Sequence, residues 1–240
     1  MKTQIELQKF RNSLAPLALA ALMTTGVSTQ AQTPITEGHV DIGIAYEDGS
    51  WDLHVHDEEN DIEYEPVDAV LVVGPAGQAT VPAGSQWSFL GTTGSAYWQL
   101  PDSDTPGLPF LGIGAEEIGG GVFVDDLITL TLTGWSGPGN FSLFTVDEFG
   151  DLATLWMGTH DGISAADAIQ VLAGGHSHYV WAFTQPGDYT LTFEASGTLV
   201  AGNTFTSSGG VDYQFQVIPE PGIATLLGLG VACVAFLRRR

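Results

Sequence analysis

Within residues 51–57, Trp51-Asp52-Leu53-His54-Val55-His56-Asp57, apolar and polar side chains alternate from Trp51 to His56. Successive residues of a β-strand face opposite sides, so Trp51, Leu53 and Val55 form one face and Asp52, His54 and His56 the other. The apolar face requires a core to pack against. The polar face sets two imidazoles about 7 Å apart at Cα beside a carboxylate. The same pattern recurs in Gly175-His176-Ser177-His178-Tyr179-Val180-Trp181-Ala182-Phe183, where Tyr179, Trp181 and Phe183 make an aromatic face and His176 and His178 share the opposite one.

Outward from these two stretches the pattern stays β. Short runs of Val, Ile, Thr, Tyr, Phe and Trp are bounded by Gly, Pro, Asp and Asn at sandwich-like intervals. Strands are predicted over 40–46, 51–56, 67–73, 86–90, 96–99, 122–124, 127–132, 140–146, 153–157, 179–184, 188–195 and 211–217. The 31 glycines and 12 prolines are spread through turns, with no linker among them. We therefore expect one all-β domain over 32–217, a single antiparallel β-sandwich of Ig-like or jelly-roll-like type. Asp48-Gly49 and Pro186-Gly187 are turn pairs that suit tight hairpins. Residues 164–172 are the one helical candidate, with Ser164 as cap and Asp167 three residues on. The acidic run 57–65 reads as a solvated loop and lacks the ligand spacing of an EF-hand, and Asp102-Ser103-Asp104 is a second short acidic candidate for calcium.

The two ends differ from this middle. Lys2, Lys9 and Arg11 precede the apolar run 14–27, and small residues follow up to Ala31, the layout of a signal peptide over 1–31. At the other end Pro219-Glu220-Pro221 is followed by an uncharged apolar run over 223–237 and then by Arg238, Arg239 and Arg240. That run reads as a transmembrane helix with its positive cap in the cytoplasm. The order of these parts over 218–240 resembles the PEP-CTERM sorting signal of exosortase-bearing Gram-negative bacteria. The resemblance implies export, transient retention in the inner membrane, an exosortase-type processing peptidase as partner, and delivery to the cell surface or extracellular matrix.

All six basic residues lie in these end segments, while 26 of the 28 acidic ones, every one except Glu6 and Glu220, lie between Glu37 and Asp212. The middle therefore has neither Lys nor Arg. Nucleic-acid binding, which needs those side chains to neutralise phosphate, is not expected. Cations from solution, protonated His and backbone N–H groups are what can offset the field. Cys233, the single cysteine, leaves the domain without a disulfide.

His54 and His56 on one strand and His176 and His178 on another have the geometry of ligands to Zn²⁺, Cu²⁺ or Ni²⁺. His39 is the expected third member beside the first pair, and four imidazoles converge if the two strands are neighbours. His160, in Gly158-Thr159-His160-Asp161-Gly162, is either a further member or a turn residue. The alternative is that these histidines are simply outward polar groups, and that the acidic surface binds Ca²⁺ or exopolysaccharide in a structural or adhesive role.

Gly38-His39-Val40-Asp41-Ile42-Gly43, residues 51–57, residues 175–183 and Pro186-Gly187-Asp188-Tyr189 resemble the choice-of-anchor M surface proteins. They are also similar to the actinobacterial surface-anchored repeat domain found with some metal-type ABC transporters. The resemblance implies one extracellular domain joined to a variable anchor, an association with a metal-transport system, and functional roles for His39, His54, His56, His176 and His178.

Signatures of catalysis are sparse. Gly134-Trp135-Ser136-Gly137-Pro138 misses the nucleophile elbow by one position, and the domain has neither a phosphate loop nor a lysine for Schiff-base chemistry. Trp87, Trp98, Trp135 and Trp156 are candidates for sugar stacking or for the core. The expected protein is a non-enzymatic metal binder, with a metallohydrolase as the remaining catalytic option.

Overall fold

A computed structural model describes residues 31–220. The expected signal peptide and the expected transmembrane helix fall outside the described residues. Among the described residues no helix is long and apolar enough to cross a membrane.

Among the described residues, seventeen strands build three sheets. The first runs β1 (Thr33–Ile35), β5 (Ala69–Val73), β17 (Val211–Val217), β15 (Gly187–Thr198), β9 (Leu127–Ser136) and β12 (Ala168–Leu172), with β16 (Phe205–Ser207) paired to β15. The second runs β11 (Leu152–Gly158), β10 (Phe141–Val146), β14 (Val180–Phe183), β7 (Ala96–Leu100) and β6 (Gln78–Thr80). The third runs β13 (His176–His178), β8 (Pro109–Gly114), β2 (Gly38–Glu47), β3 (Ser50–Asp57) and β4 (Ile62–Tyr64).

Period-two burial is what holds these sheets together. Tyr189, Leu191, Phe193 and Ala195 of β15 are buried at alternate positions, as are Tyr213, Phe215 and Val217 of β17. They meet Val40, Ile42 and Ile44 of β2 and Leu143, Trp181 and Phe183 of the second sheet in one apolar core. Each such large side chain contributes about 1.5–3 kcal/mol by leaving water. The second sheet is covered on both faces. Tyr97, Phe144, Val180 and Ala182 point away from the main core, and Trp87, Phe89 and Leu90 cover them.

Several expectations need correction. The first and third sheets are mixed, not purely antiparallel, because β1–β5, β5–β17 and β2–β8 are parallel, whereas the second is antiparallel throughout. Hairpin turns dictate only antiparallel neighbours, and these three pairs join segments that no hairpin connects. Asp48-Gly49 does close the β2–β3 hairpin, both residues at positive φ, with Glu47 opposite Ser50. Pro186-Gly187 instead passes the chain from β14 in the second sheet to β15 in the first.

Residues 85–90 form a 3₁₀ turn, not a strand, bracketed by Gly84 and Gly91 at positive φ. Residues 164–172 are not helical. Asp167 accepts hydrogen bonds from the Ser164 N–H and hydroxyl and from the Gly158 N–H, closing a turn, and β12 then pairs with β9. Ile169 and Val171 are buried there while Gln170 and Leu172 are exposed, and a strand serves that period better than a helix. The missed strand that matters most is β8, Pro-Phe-Leu-Gly-Ile-Gly, whose proline and two glycines disguise a central strand.

Candidate metal centre

Register places the histidines. Across β2 and β3, Asp41 lies opposite His56 and Gly43 opposite His54. Across β2 and β8, His39 lies opposite Phe110 and Asp41 opposite Gly112, and across β8 and β13, Gly112 lies opposite His178 and Gly114 opposite His176. Cross-strand partners share a face, so His39, Asp41, His54, His56, His176 and His178 all stand on the side of the third sheet facing away from the core. Val40, Ile42, Leu53, Val55, Leu111 and Ile113 occupy the other side and are buried. The two His-x-His strands are not adjacent, because β8 and β2 lie between them. The four imidazoles therefore divide into two groups, and His39 joins His176 and His178, not the hairpin pair.

The first group is His39, Asp41, His176 and His178, each able to offer one ligand atom with all of these atoms within 4.8 Å of one another. His39 Nε2 and His176 Nε2 are 3.3 Å apart, His176 Nε2 and Asp41 Oδ1 2.9 Å, and His39 Nε2 and Asp41 Oδ1 3.7 Å. A tetrahedral ion with ligands at ~2.0–2.1 Å needs ligand edges of roughly 3.3–3.4 Å, which these distances bracket. Phe110 stacks on the His178 ring at 3.5 Å and 5°, fixing its plane.

The floor beneath these groups is glycine. A Cβ on Gly112 would meet Asp41 Oδ1 and stand 2.6 Å from His176 Nε2, and a Cβ on Gly43 would run into the His54 ring. Only glycine at these points leaves room for the ligands.

The electrostatics fit a cation. Asp41 is 2 % exposed, and burial raises its pKa above the usual carboxylate value, opposed by the neighbouring His176. No Lys or Arg exists among the described residues to compensate it. His178 is pushed down to about 4 by burial and then by the His176 imidazole, so it stands neutral and ready to donate a lone pair. Asp41 Oδ2 is buried without a hydrogen-bond partner, an arrangement that costs ~1–3 kcal/mol unless something else satisfies it. These donors fit a divalent transition metal.

The second group is His54, His56 and Glu117. His54 Nε2 lies 3.2 Å from Glu117 Oε1 without hydrogen-bond geometry, and both ring nitrogens of His54 lack partners although the residue is buried. A third, all-carboxylate group, Asp41, Glu58 and Glu116, shares Asp41 with the first and touches the second, where Glu58 Oε1 lies 3.0 Å from His56 Nδ1.

His160 belongs to none of these groups and sits beside Asp161 and Phe89. The residues the sequence left unassigned are Asp41, Glu58, Glu116, Glu117, Phe110 and the glycines. Asp41 carried the one available signal, by sharing the face of His39 two positions away. Of the tryptophans, Trp87 and Trp98 are buried and Trp135 is exposed.

Among known proteins, the PEP-CTERM protein-sorting motif matches residues 217–240. No curated protein and no solved structure matches the chain. The resemblance of 37–217 to choice-of-anchor M proteins gains no support from these comparisons. The tail match marks an exported protein sorted to the cell surface, and it is confined to those last residues.

Proposed function

We propose that this chain is a non-enzymatic surface protein that captures one divalent transition metal at His39, Asp41, His176 and His178. The observation that carries the reading is the convergence of three imidazoles and a buried carboxylate, with neither Lys nor Arg near it, on a glycine floor. Three nitrogens and one oxygen suit Zn²⁺, with Cu²⁺ and Ni²⁺ as competitors by affinity. An exosortase-type peptidase would process the tail, and a metal-transport system is the partner class that would receive the ion. The three sheets would then form an elaborated β-sandwich that displays the third sheet's ligand face.

The test is zinc titration of the full chain, carrying no affinity-tag histidines, against a competing chelator. We expect tight binding that weakens ~10³-fold or more in His176→Ala/His178→Ala, because loss of an outer-shell partner alone costs 10–100-fold. Unchanged affinity in that variant would sink the assignment. A second reading is favoured by the all-oxygen group Asp41, Glu58 and Glu116. In it the acidic surface binds Ca²⁺ and supports a structural role with exopolysaccharide, and the full chain binds Ca²⁺ but no Zn²⁺.

A further inference from the structure

This inference rests on the metal-binding reading and deepens it. We propose that His54, His56 and Glu117 hold a second divalent transition metal, in an open site through which ions enter before reaching the closed one.

His54 lacks the hydrogen-bond partners that a buried imidazole needs. It is 4 % exposed and neither ring nitrogen has a hydrogen-bond partner. The nearest acid to Nδ1, Asp52, is 4.0 Å away, too far for a hydrogen bond. Its Nε2 lies 3.2 Å from Glu117 Oε1, and the His56 ring stands edge-on to it with centroids 6.0 Å apart. The three ligand atoms lie within 4.8 Å of one another, and Gly43 beneath leaves the His54 ring its place.

Three protein ligands leave a tetrahedral ion one position open, whereas the first group supplies four. The second site therefore exchanges faster and binds more weakly. Its surroundings suit entry. A groove of about 600 Å³ is lined by Glu47, Asp52, Glu63, Glu65 and Glu117, with no basic residue in its wall. Such a one-signed cleft concentrates cations from solution. Between the sites stands Glu58, 3.0 Å from His56 on one side and grouped with Asp41 and Glu116 on the other. The Glu58 N–H donates to the His39 carbonyl at 3.0 Å, so its backbone is fixed between the two groups. Carboxylates thus line the path from His56 to Asp41.

The experiment is zinc titration of the full chain with chelator competition, reading stoichiometry and affinity. The expected result is two equivalents, the second at least ~10-fold weaker, in keeping with the loss of one ligand. His54→Ala/His56→Ala should keep only the tight equivalent, and His176→Ala/His178→Ala only the weak one. Glu117→Gln changes an exposed side chain and leaves the buried His54 in place, so it reports even if the double variant does not fold. It should weaken the second equivalent ~10-fold and leave the first unchanged. One equivalent in the wild type, lost in His176→Ala/His178→Ala, would overturn this proposal and leave the first site standing. A weak equivalent indifferent to Glu117→Gln would overturn it as well. No zinc binding at all would remove both readings.

Discussion

His176 and His178 stand on a three-residue edge strand, whereas His54 and His56 stand on an eight-residue strand paired on both sides. The edge pair looks across Gly112 and Gly114 of β8 to Asp41 and Gly43 on β2, with His39 two positions from Asp41, and so gathers four candidate donors. The inner pair looks across to Gly43 and Asp41 on one side and to Glu63 on the other, and recruits Glu117 from a loop. One motif thus produces two different donor sets. What differs is which residues the ladder places opposite, and the length or regularity of the strand itself matters little. A His-x-His strand is half a site until its neighbours are known.

The sharpest way to break this comparison is to fill the floor of one group at a time. Gly112→Ala would press on Asp41 and His176, and Gly43→Ala on His54. We expect Gly112→Ala to weaken the tight zinc equivalent ~100-fold while leaving the weaker one in place, and Gly43→Ala to do the reverse. Chelator-competition titration of both variants checks it. Parallel losses in both variants would mean that the two groups act as one.

Acidity sharpens it further, because the first group holds opposed titrations. His178 in the fold lies at about 4, below its ordinary 6.5, so its contribution to stability is full above about pH 6.5 and is lost as pH falls toward about 4. Asp41 is raised above its ordinary 3.8, so its contribution is full below that value and is lost as pH rises through the raised one. In the metal-free chain these two slopes oppose each other. Asp41→Asn should expose the His178 slope alone, a fall of at most about 1.4 kcal/mol per pH unit between about pH 6.5 and 4. Urea denaturation across that range measures it, and adding His178→Gln should flatten the curve.

The parts of this arrangement that were legible in the sequence are those written in local periodicity. Alternation in 51–57 disclosed that strand and the shared face of its histidine pair, and Asp48-Gly49 disclosed the β2–β3 hairpin, whereas 176–183, which reads as one alternating strand, divides at Tyr179 into β13 of the third sheet and β14 of the second. What local pattern cannot carry is which distant strands become neighbours. The parallel pairing of β2 with β8 brings His39 and Asp41 to His176, and β8 itself reads as a turn because Pro109, Gly112 and Gly114 are poor strand formers. Gly112 leaves the room that Asp41 and His176 occupy above it, whereas a Cβ on Gly114 would make only ordinary contacts. Glu58 was hidden for a related reason, since an acidic run looks solvated until one member is seen folding back onto a histidine.

The smallest expected effect asks how far the second group depends on the core behind it. The Tyr213 hydroxyl, on β17 of the first sheet, donates to the His54 carbonyl at 3.3 Å from a fully buried position. Burial holds that phenol far above its ordinary pKa, so it is a neutral donor at every working pH. Tyr213→Phe keeps the ring in the core and removes the donor, leaving the carbonyl unpaired. A net loss of about 0.5–1.5 kcal/mol in urea denaturation is expected for one neutral hydrogen bond. Because β3 is also held by its ladders to β2 and β4, the His54 side chain should stay in place and the weak zinc equivalent should shift by no more than about 3-fold, the usual spread of context effects. A larger shift in zinc affinity than in stability would mean that the ligand face of the third sheet is tuned from the first sheet through the core. The two histidine strands would then differ in what supports them from behind as well as in what faces them across the ladder.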